Sequence, residues 1–509
     1  MSVPYAWPAP GSTDHLAVAT QRLRHVEDVV LGVIHAADYR EVTPPTVDVA
    51  EVFTGGTGAP RWVDAKGRVM SVRSDFTGPV ARIAATRLRD IDGPLRLAYR
   101  GSTFDSEGDG VVETREAGAE LFGVSGAEGE AAVIQVAVDA LRALGLRPQV
   151  AVGSVAVVDR VLPSTPGVRL ALHRRDRKAL LALPEVQALT PERRVAVQAL
   201  LDLSGGPEVL DAARAVLPGC DDALDDLAEL LVRLPNVDVT IDLAHVRTPT
   251  YYTGAVFDIY VPGGAGPVAG GGRYDTLVGR YGAPRPAVGV SLDLDTLAWT
   301  EDRPLKDLTF GLPKGRLLKH LVARLGDQGP TAEDLASRRL VLERGPWKFL
   351  PLKDPDVPAY VQRGVVDVGV VGSDVLAEGG ADVLVPYDLG LGQCRLCLCG
   401  PADLDIAALH ARGTLRVASK YAKTAARALA ERGLIAEVVP LQGSVEVSVL
   451  TGMADAIVDV VETGKTLEEN NLVVLETLAE ISAHIIVNRA AWHLRPEAVK
   501  RAIAALMEA

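Results

Sequence analysis

The spacing of hydrophobic positions along this chain changes near residue 300. Before it, apolar residues recur at helical spacing over residues 16–37, which predicts an amphipathic helix. Tyr39-Arg-Glu-Val-Thr-Pro-Pro45 reads as a strand entering a proline turn. Short apolar runs broken by polar loops predict strands across 69–123. Segments 129–144 and 177–234, rich in Ala, Leu, Arg and Asp, predict helices. A strand at 237–243 opens a β-rich stretch that runs to about residue 297. This order fits an antiparallel sheet with a helical insertion better than a βαβ repeat.

Residues 300–307, Thr-Glu-Asp-Arg-Pro-Leu-Lys-Asp, are polar, contain proline and read as a linker. Beyond them, apolar strands alternate with helices: 308–312 then 316–326, 366–371 then 373–378, 414–418 then 424–432, and 456–461 then 466–470. That alternation predicts parallel α/β structure. A length of 509 residues is too much for one ordinary core and predicts two to four domains.

Composition narrows the function classes. Hydrophobic residues make up 48% and charged residues 23%, which is ample for packed cores. The net charge of −13 argues against nucleic acid as a general partner, since that binding needs a basic face. No apolar run is long enough for a membrane span, and the N-terminus has neither the basic start nor the apolar core of a signal peptide. A cytoplasmic protein with reduced thiols is expected. Cys394, Cys397 and Cys399 lie on a predicted strand with Cys397 and Cys399 on one face. They read as buried thiols, and no protein-built metal site is expected.

The strongest chemical signal lies late in the chain. Ala454-Asp-Ala-Ile-Val-Asp-Val-Val461 is a buried-type strand bearing Asp455 and Asp459. It runs directly into Glu462-Thr463-Gly464-Lys465-Thr466, after which a helix begins. Gly464 permits a tight turn and close backbone approach. Free amides at the helix start, the Thr463 and Thr466 hydroxyls and the Lys465 charge can surround a phosphate, and the nearby acids suit ribose hydroxyls or magnesium. Alone, the motif also fits an ordinary strand–turn–helix. A second constellation, Gly311-Leu-Pro-Lys314-Gly315-Arg316-Leu317, follows the first strand of this half and offers another anion site. Ser337-Arg338-Arg339, Asp356-Val-Pro and Val366-Asp-Val-Gly-Val-Val-Gly-Ser-Asp374 add charge near predicted strand ends, where open α/β folds bind ligands.

With Asp388-Leu-Gly, Leu441-Gln-Gly-Ser-Val-Glu446 and Gly452–Leu467, these pieces closely resemble ATP phosphoribosyltransferase across residues 307–509. The end of the chain soon after Ile485-Ile-Val-Asn-Arg489 resembles the short form of that family, which lacks a C-terminal regulatory domain. The resemblance implies two lobes of the type II periplasmic-binding-protein kind, about 307–390 plus 485–509 and 391–484. It implies transfer of a phosphoribosyl group from phosphoribosyl pyrophosphate to N1 of ATP, with magnesium. Arg316 and Arg338 match positions spanning the pyrophosphate and the ATP phosphates. Each fixed cation is worth roughly 3–4 kcal/mol if buried and preorganised. Glu446 is the candidate for orienting adenine or taking a proton. Asp459 and residues 462–466 are expected at phosphoribosyl pyrophosphate, and Lys314, Gly315, Lys353 and Asp374 at ATP. Lys353 stands where relatives often carry arginine, and Ser448-Val449 replaces Ala-Pro.

Residues 1–300 resemble the histidyl-tRNA-synthetase-like regulatory partner of the short form. Tyr39–Pro45, Arg73-Ser-Asp-Phe-Thr77, Tyr99-Arg-Gly-Ser-Thr-Phe104, Ala117-Gly-Ala-Glu-Leu-Phe-Gly123, Arg247 with Tyr251-Tyr-Thr-Gly254, and Gly270-Gly-Gly-Arg-Tyr-Asp275 carry the likeness. It implies a class II synthetase core with an antiparallel sheet. Asp75, Thr77, Glu120, Arg247, Tyr251 and Tyr252 match histidine-pocket positions, and Glu116 replaces a glutamine there. Phe104-Asp105 stands for Phe-Arg, and Asp295-Thr296 for Glu-Arg. An aspartate facing a triphosphate repels it, so adenylation should fail. The expected protein is a multidomain α/β fusion: an ATP phosphoribosyltransferase inhibited by histidine and forming a homo-oligomer. The rivals are a bifunctional enzyme that still charges tRNA and a non-enzymatic solute-binding protein.

Overall fold

The computed structural model describes residues 8, 9, 11–54, 58–107, 110–248, 250–305, 307–315, 317–337, 339–411 and 413–507. Contacts divide the chain into one unit of Met1–Lys306 with Trp492–Pro496, and a second of Asp307–Ala491 with Glu497–Ala509.

The first unit is built on a nine-stranded sheet. The hairpin Leu95–Glu107 and Gly110–Phe122 forms its long arm, paired from Leu95↔Phe122 to Glu107↔Gly110. Ala287–Asp293, Ala269–Arg273 and Ala255–Tyr260 follow in antiparallel order, then Gln149–Ser154. Gln149–Ser154 and Asp238–Asp242 are parallel neighbours, which demands a crossover. The helices between them supply it. Their starts are written in the sequence: Ser154, Thr165, Asp176 and Thr190 each accept a hydrogen bond from the backbone amide three residues on. The insertion begins at Val155, earlier than residue 177, because the Ser154 cap and burial of Val155, Val157, Val158 and Val161 outweigh the weak helix preference of valine.

The helix Ala17–Ala36 lays Leu23, Val26, Val30 and Ile34 on the core, matching the predicted amphipathic spacing. The stretch 69–123 holds more than strands. Thr77–Thr86 is a helix that buries Val80, Ala81, Ala84 and Ala85, a one-face spacing hidden among glycine and proline at its first turn.

The second unit has two sheets. In the first, Leu308–Pro313 lies parallel to both Trp347–Leu352 and Val368–Gly372. Phe310 stacks on Phe349 at 5.2 Å within its core. In the second, Arg416–Ser419 lies parallel to Glu437–Pro440 and Ala456–Val461. Both sheets also carry antiparallel strands, so the expectation of a parallel fold is only partly met. Cys394–Gly400 and Val473–Ile481 belong to the second sheet, and Ala483–Val487 pairs antiparallel within the first. Among the described residues no helix is long and apolar enough to cross a membrane.

Candidate functional site

The second unit presents its chemistry at the carboxyl ends of parallel strands. Ala456–Val461 leads into residues 462–466, and Gly464 adopts a left-handed φ of +82° just before the helix Lys465–Glu469. A β-branched residue would be strained there. Leu467 is buried and pins the short helix, while Glu462, Thr463, Lys465 and Thr466 are exposed. Together with Asp374, Tyr421, Glu446 and Asp459, this loop lines a cavity of about 350 Å³. Burial raises the Asp459 pKa, the Glu446 charge adds to it, and Lys420 opposes it. The Tyr421 hydroxyl donates to Asp374 over 2.8 Å, and burial with the Asp374 charge holds the phenol well above its usual pKa.

A second cavity, about 120 Å³, shares Asp374 and Glu462 with the first and adds Leu317, His320, Asp354 and Ser482. Lys314 and Lys353 are both exposed. They sit just past the ends of neighbouring parallel strands, linked by the Lys314 amide bonding the Leu352 carbonyl at 2.7 Å. Neither they nor Gly315 lines these two cavities. Arg316 and Arg338 lie outside the described residues.

Asp455 does not share the role of Asp459. It forms an ion pair with Arg416 at 2.8 Å, at the start of the strand. Glu446 opens the helix Glu446–Leu450. Ser448 is buried and donates to the Val445 carbonyl at 2.6 Å, which satisfies its hydroxyl inside that turn. The three clustered cysteines are buried on Cys394–Gly400, and burial pushes the Cys399 thiol up to about 12. Tyr421 escaped notice in the sequence. Its place just after Arg416–Ser419, a parallel strand end, was the available signal.

The first unit holds a different kind of site. Asp75, Thr77, Glu116, Glu120, Arg247, Tyr251 and Tyr252 all line one cavity of about 230 Å³. Asp75 accepts from the Thr54 amide at 2.7 Å and the Gly78 amide at 3.0 Å. Glu120, 1% exposed, accepts from Thr77 at 3.0 Å and from the Tyr274 hydroxyl. Burial drives its pKa up to about 8 against those hydrogen bonds. Burial also raises Glu116, opposed by bonds from Ser291 at 2.7 Å and Thr103 at 3.0 Å. The Arg247 guanidinium is paired with Asp258. Glycines make the room: a Cβ at Gly289 would overlap Glu120, and one at Gly270 would overlap Arg247 and Asp258. Tyr274 and Ser291 also line the cavity and Thr103 bonds Glu116; none was singled out in the sequence, though Thr103 and Tyr274 sat inside quoted motifs.

The positions that would hold ATP in a synthetase look different. Asp105 is exposed, and its carboxylate accepts from the Ser106 amide at 2.8 Å. Asp295 takes both the backbone amide and the guanidinium of Arg115, at 2.7 and 2.9 Å. Thr296 bonds Asp293 as part of a helix cap.

The second unit is that of a phosphoribosyltransferase, and the first that of a histidyl-tRNA-synthetase-like regulatory module. The family profile for histidyl-tRNA synthetase matches residues 11–297, and that for ATP phosphoribosyltransferase matches 353–508. The chain is 45% identical over 201 residues to an ATP phosphoribosyltransferase of Sorangium cellulosum, covering 38% of this chain and 92% of that protein. It is 36% identical over 349 residues to an ATP phosphoribosyltransferase regulatory subunit of Moorella thermoacetica, covering 64% of this chain and 89% of that one. The crystal structure of an ATP phosphoribosyltransferase regulatory subunit/histidyl-tRNA synthetase from Bacillus halodurans matches at a TM-score of 0.55 and 25% identity, covering 64% of this chain and 90% of that one. The chain belongs to the ATP phosphoribosyltransferase family of histidine biosynthesis, with a histidyl-tRNA-synthetase-like regulatory region at its N-terminal side.

Proposed function

We propose that residues 462–466 hold the 5′-phosphate of phosphoribosyl pyrophosphate, and that ATP enters beside Asp374 from the Lys314–Lys353 edge. The observation that carries this reading is the cavity joining the loop to Asp374, Tyr421, Glu446 and Asp459. In the reaction, adenine N1 forms a bond to ribose C1 as the C1–oxygen bond to pyrophosphate breaks. Positive charge builds on the ribose and negative charge on the leaving group. Asp459 faces the first, and Arg316 and Arg338 serve the second. Glu446 orients adenine.

The residues suit magnesium. Asp374, Glu446, Asp459 and Glu462 line one cavity, and burial, with a smaller push from the Glu446 charge, raises Asp459, a cost that a divalent cation would offset. No described group of three or more His, Cys, Asp or Glu residues is arranged to hold a metal unaided. Magnesium would therefore sit chiefly on substrate phosphates, with one or two of these carboxylates, and supply charge neutralisation there.

The buried pocket of the first unit binds histidine as a feedback inhibitor. Asp75 takes the α-amino group, Glu120 the imidazole, and Arg247 the carboxylate. Arg247 is the only cation among the described lining residues. Carrying both modules on one chain fixes their ratio at one to one and raises their effective concentration. Four buried free cysteines suit a cytoplasmic setting, and we expect a homo-oligomer. The test is phosphoribosyl-ATP formation by the purified chain from ATP, phosphoribosyl pyrophosphate and magnesium, with a histidine titration. Activity that histidine suppresses supports both roles. Activity indifferent to histidine removes the regulatory one.

A further inference from the structure

The Arg247–Asp258 pair has a second layer that the pocket itself does not include. Asp258 lies on the buried strand Ala255–Tyr260 and is 9% exposed. One carboxylate oxygen takes the Arg247 guanidinium. The other lies 3.2 Å from Nε2 of His245. His245 meets His493 edge to face at 6.0 Å between ring centroids, and His493 stacks on Tyr260 at 4.6 Å. His493 is 4% exposed. It belongs to Trp492–Pro496, a segment of the first unit that lies inside the sequence matched by the transferase profile.

A carboxylate ligand needs a cation fixed in direction, because a guanidinium free to rotate loses conformational entropy when it binds. Arg247 is not free to rotate. Asp258, which does not line the cavity, is ion-paired with it, and Gly270 leaves room for both groups. We propose that Asp258 is the positioning residue that aims Arg247 at the carboxylate of histidine, and that His245 and His493 fix Asp258 in turn. A residue within the transferase sequence thereby sets the affinity of the regulatory pocket. The inference rests on the reading of that pocket as the histidine site.

The test is calorimetric titration of the full-length chain with histidine and with histidinol, the amino alcohol that lacks the carboxylate. Asp258→Asn weakens histidine by about 10- to 100-fold, the scale of a charge-assisted hydrogen bond, and moves histidinol by no more than about twofold. His493→Gln changes histidine in the same direction by roughly 3- to 10-fold, and it carries the test if Asp258→Asn does not fold. Equal loss of both ligands in either variant marks a purely structural role and overturns the inference. Unchanged histidine affinity overturns it as well. If the unmodified chain binds histidine no more tightly than histidinol, Arg247 does not read the carboxylate: the inference fails and the pocket reading stands. If the unmodified chain binds neither, the pocket reading falls and takes the inference with it.

Discussion

The two sites of this chain solve the problem of polar recognition in opposite ways. In the synthetase-like pocket, buried groups are already hydrogen-bonded to one another: Glu120 to Thr77 and Tyr274, Glu116 to Ser291 and Thr103, Asp75 to two backbone amides, and Arg247 to Asp258. In the transferase cavity, the loop residues Glu462, Thr463, Lys465 and Thr466 stand exposed around a cluster of acids. The first arrangement suits a small ligand read at fixed geometry, since preorganised groups lose little freedom on binding. The second suits large, multiply charged substrates that bring their own counter-ions. The first site is thus built before its ligand arrives, and the second would be completed by its substrates.

Breaking the loop should separate the two sites most sharply. Gly464→Val forces a β-branched side chain into a left-handed conformation and shifts the phosphate cradle. Turnover with phosphoribosyl pyrophosphate should fall about 100-fold, with histidine binding unchanged by calorimetry. If histidine affinity falls in parallel, the sites are not independent. The reciprocal change is Asp75→Ala, which removes the carboxylate assigned to the α-amino group. Histidine inhibition should weaken by about 10- to 30-fold with uninhibited turnover intact. Unaltered inhibition would place the effector elsewhere.

A subtler contrast lies in protons. The Glu120 pKa is raised from 4.5 to about 8, so between those values the folded state keeps a proton that the unfolded chain releases. Stability from this group is fully present below the unfolded value and declines as pH rises through that window, levelling above about 8. Glu120→Gln keeps a neutral group of the same shape and abolishes the decline. Its melting temperature should therefore fall less than that of the unmodified chain between pH 5 and pH 8, by about 2–5 °C in a thermal scan. Curves that stay parallel would mean that Glu120 is ionised in the folded state. The smallest expected effect is none: histidine-dependent exchange of pyrophosphate into ATP should stay at background, even in Asp105→Arg, because Thr296 still stands where a synthetase carries its other arginine. A robust exchange signal would make the regulatory region a working synthetase.

Much of both sites was legible in the sequence because their residues sit in short contiguous runs. The loop 462–466 announced itself by a β-branched strand, a glycine and a hydroxyl-bearing helix start. The pocket residues sat in runs such as Arg73–Thr77 and Tyr251–Gly254. What escaped depended on distant pairings. Asp258 gains its meaning from Arg247, His245 and His493, and nothing in the spacing of those four predicts the cluster. Asp455 and Asp459 looked equivalent on one strand, yet Arg416 on the neighbouring strand claims the first. The antiparallel strands Val473–Ile481 and Ala483–Val487 were missed because register between distant segments is set by tertiary pairing, not by local pattern. The helix Thr77–Thr86 was hidden by its glycine and proline, which belong to its first turn.

Asp105 and Thr296, standing where a synthetase carries arginine, have a consequence for how this chain would report on its pathway. A synthetase consumes the amino acid it recognises, so its pocket is emptied by chemistry as well as by dissociation. Without those arginines, the proposed pocket would fill and empty without adenylation. As the proposed histidine site, its occupancy would then follow the free histidine concentration at equilibrium, without drawing on ATP and without depleting the quantity it measures. On that reading, the pocket of a catalyst would serve as a gauge.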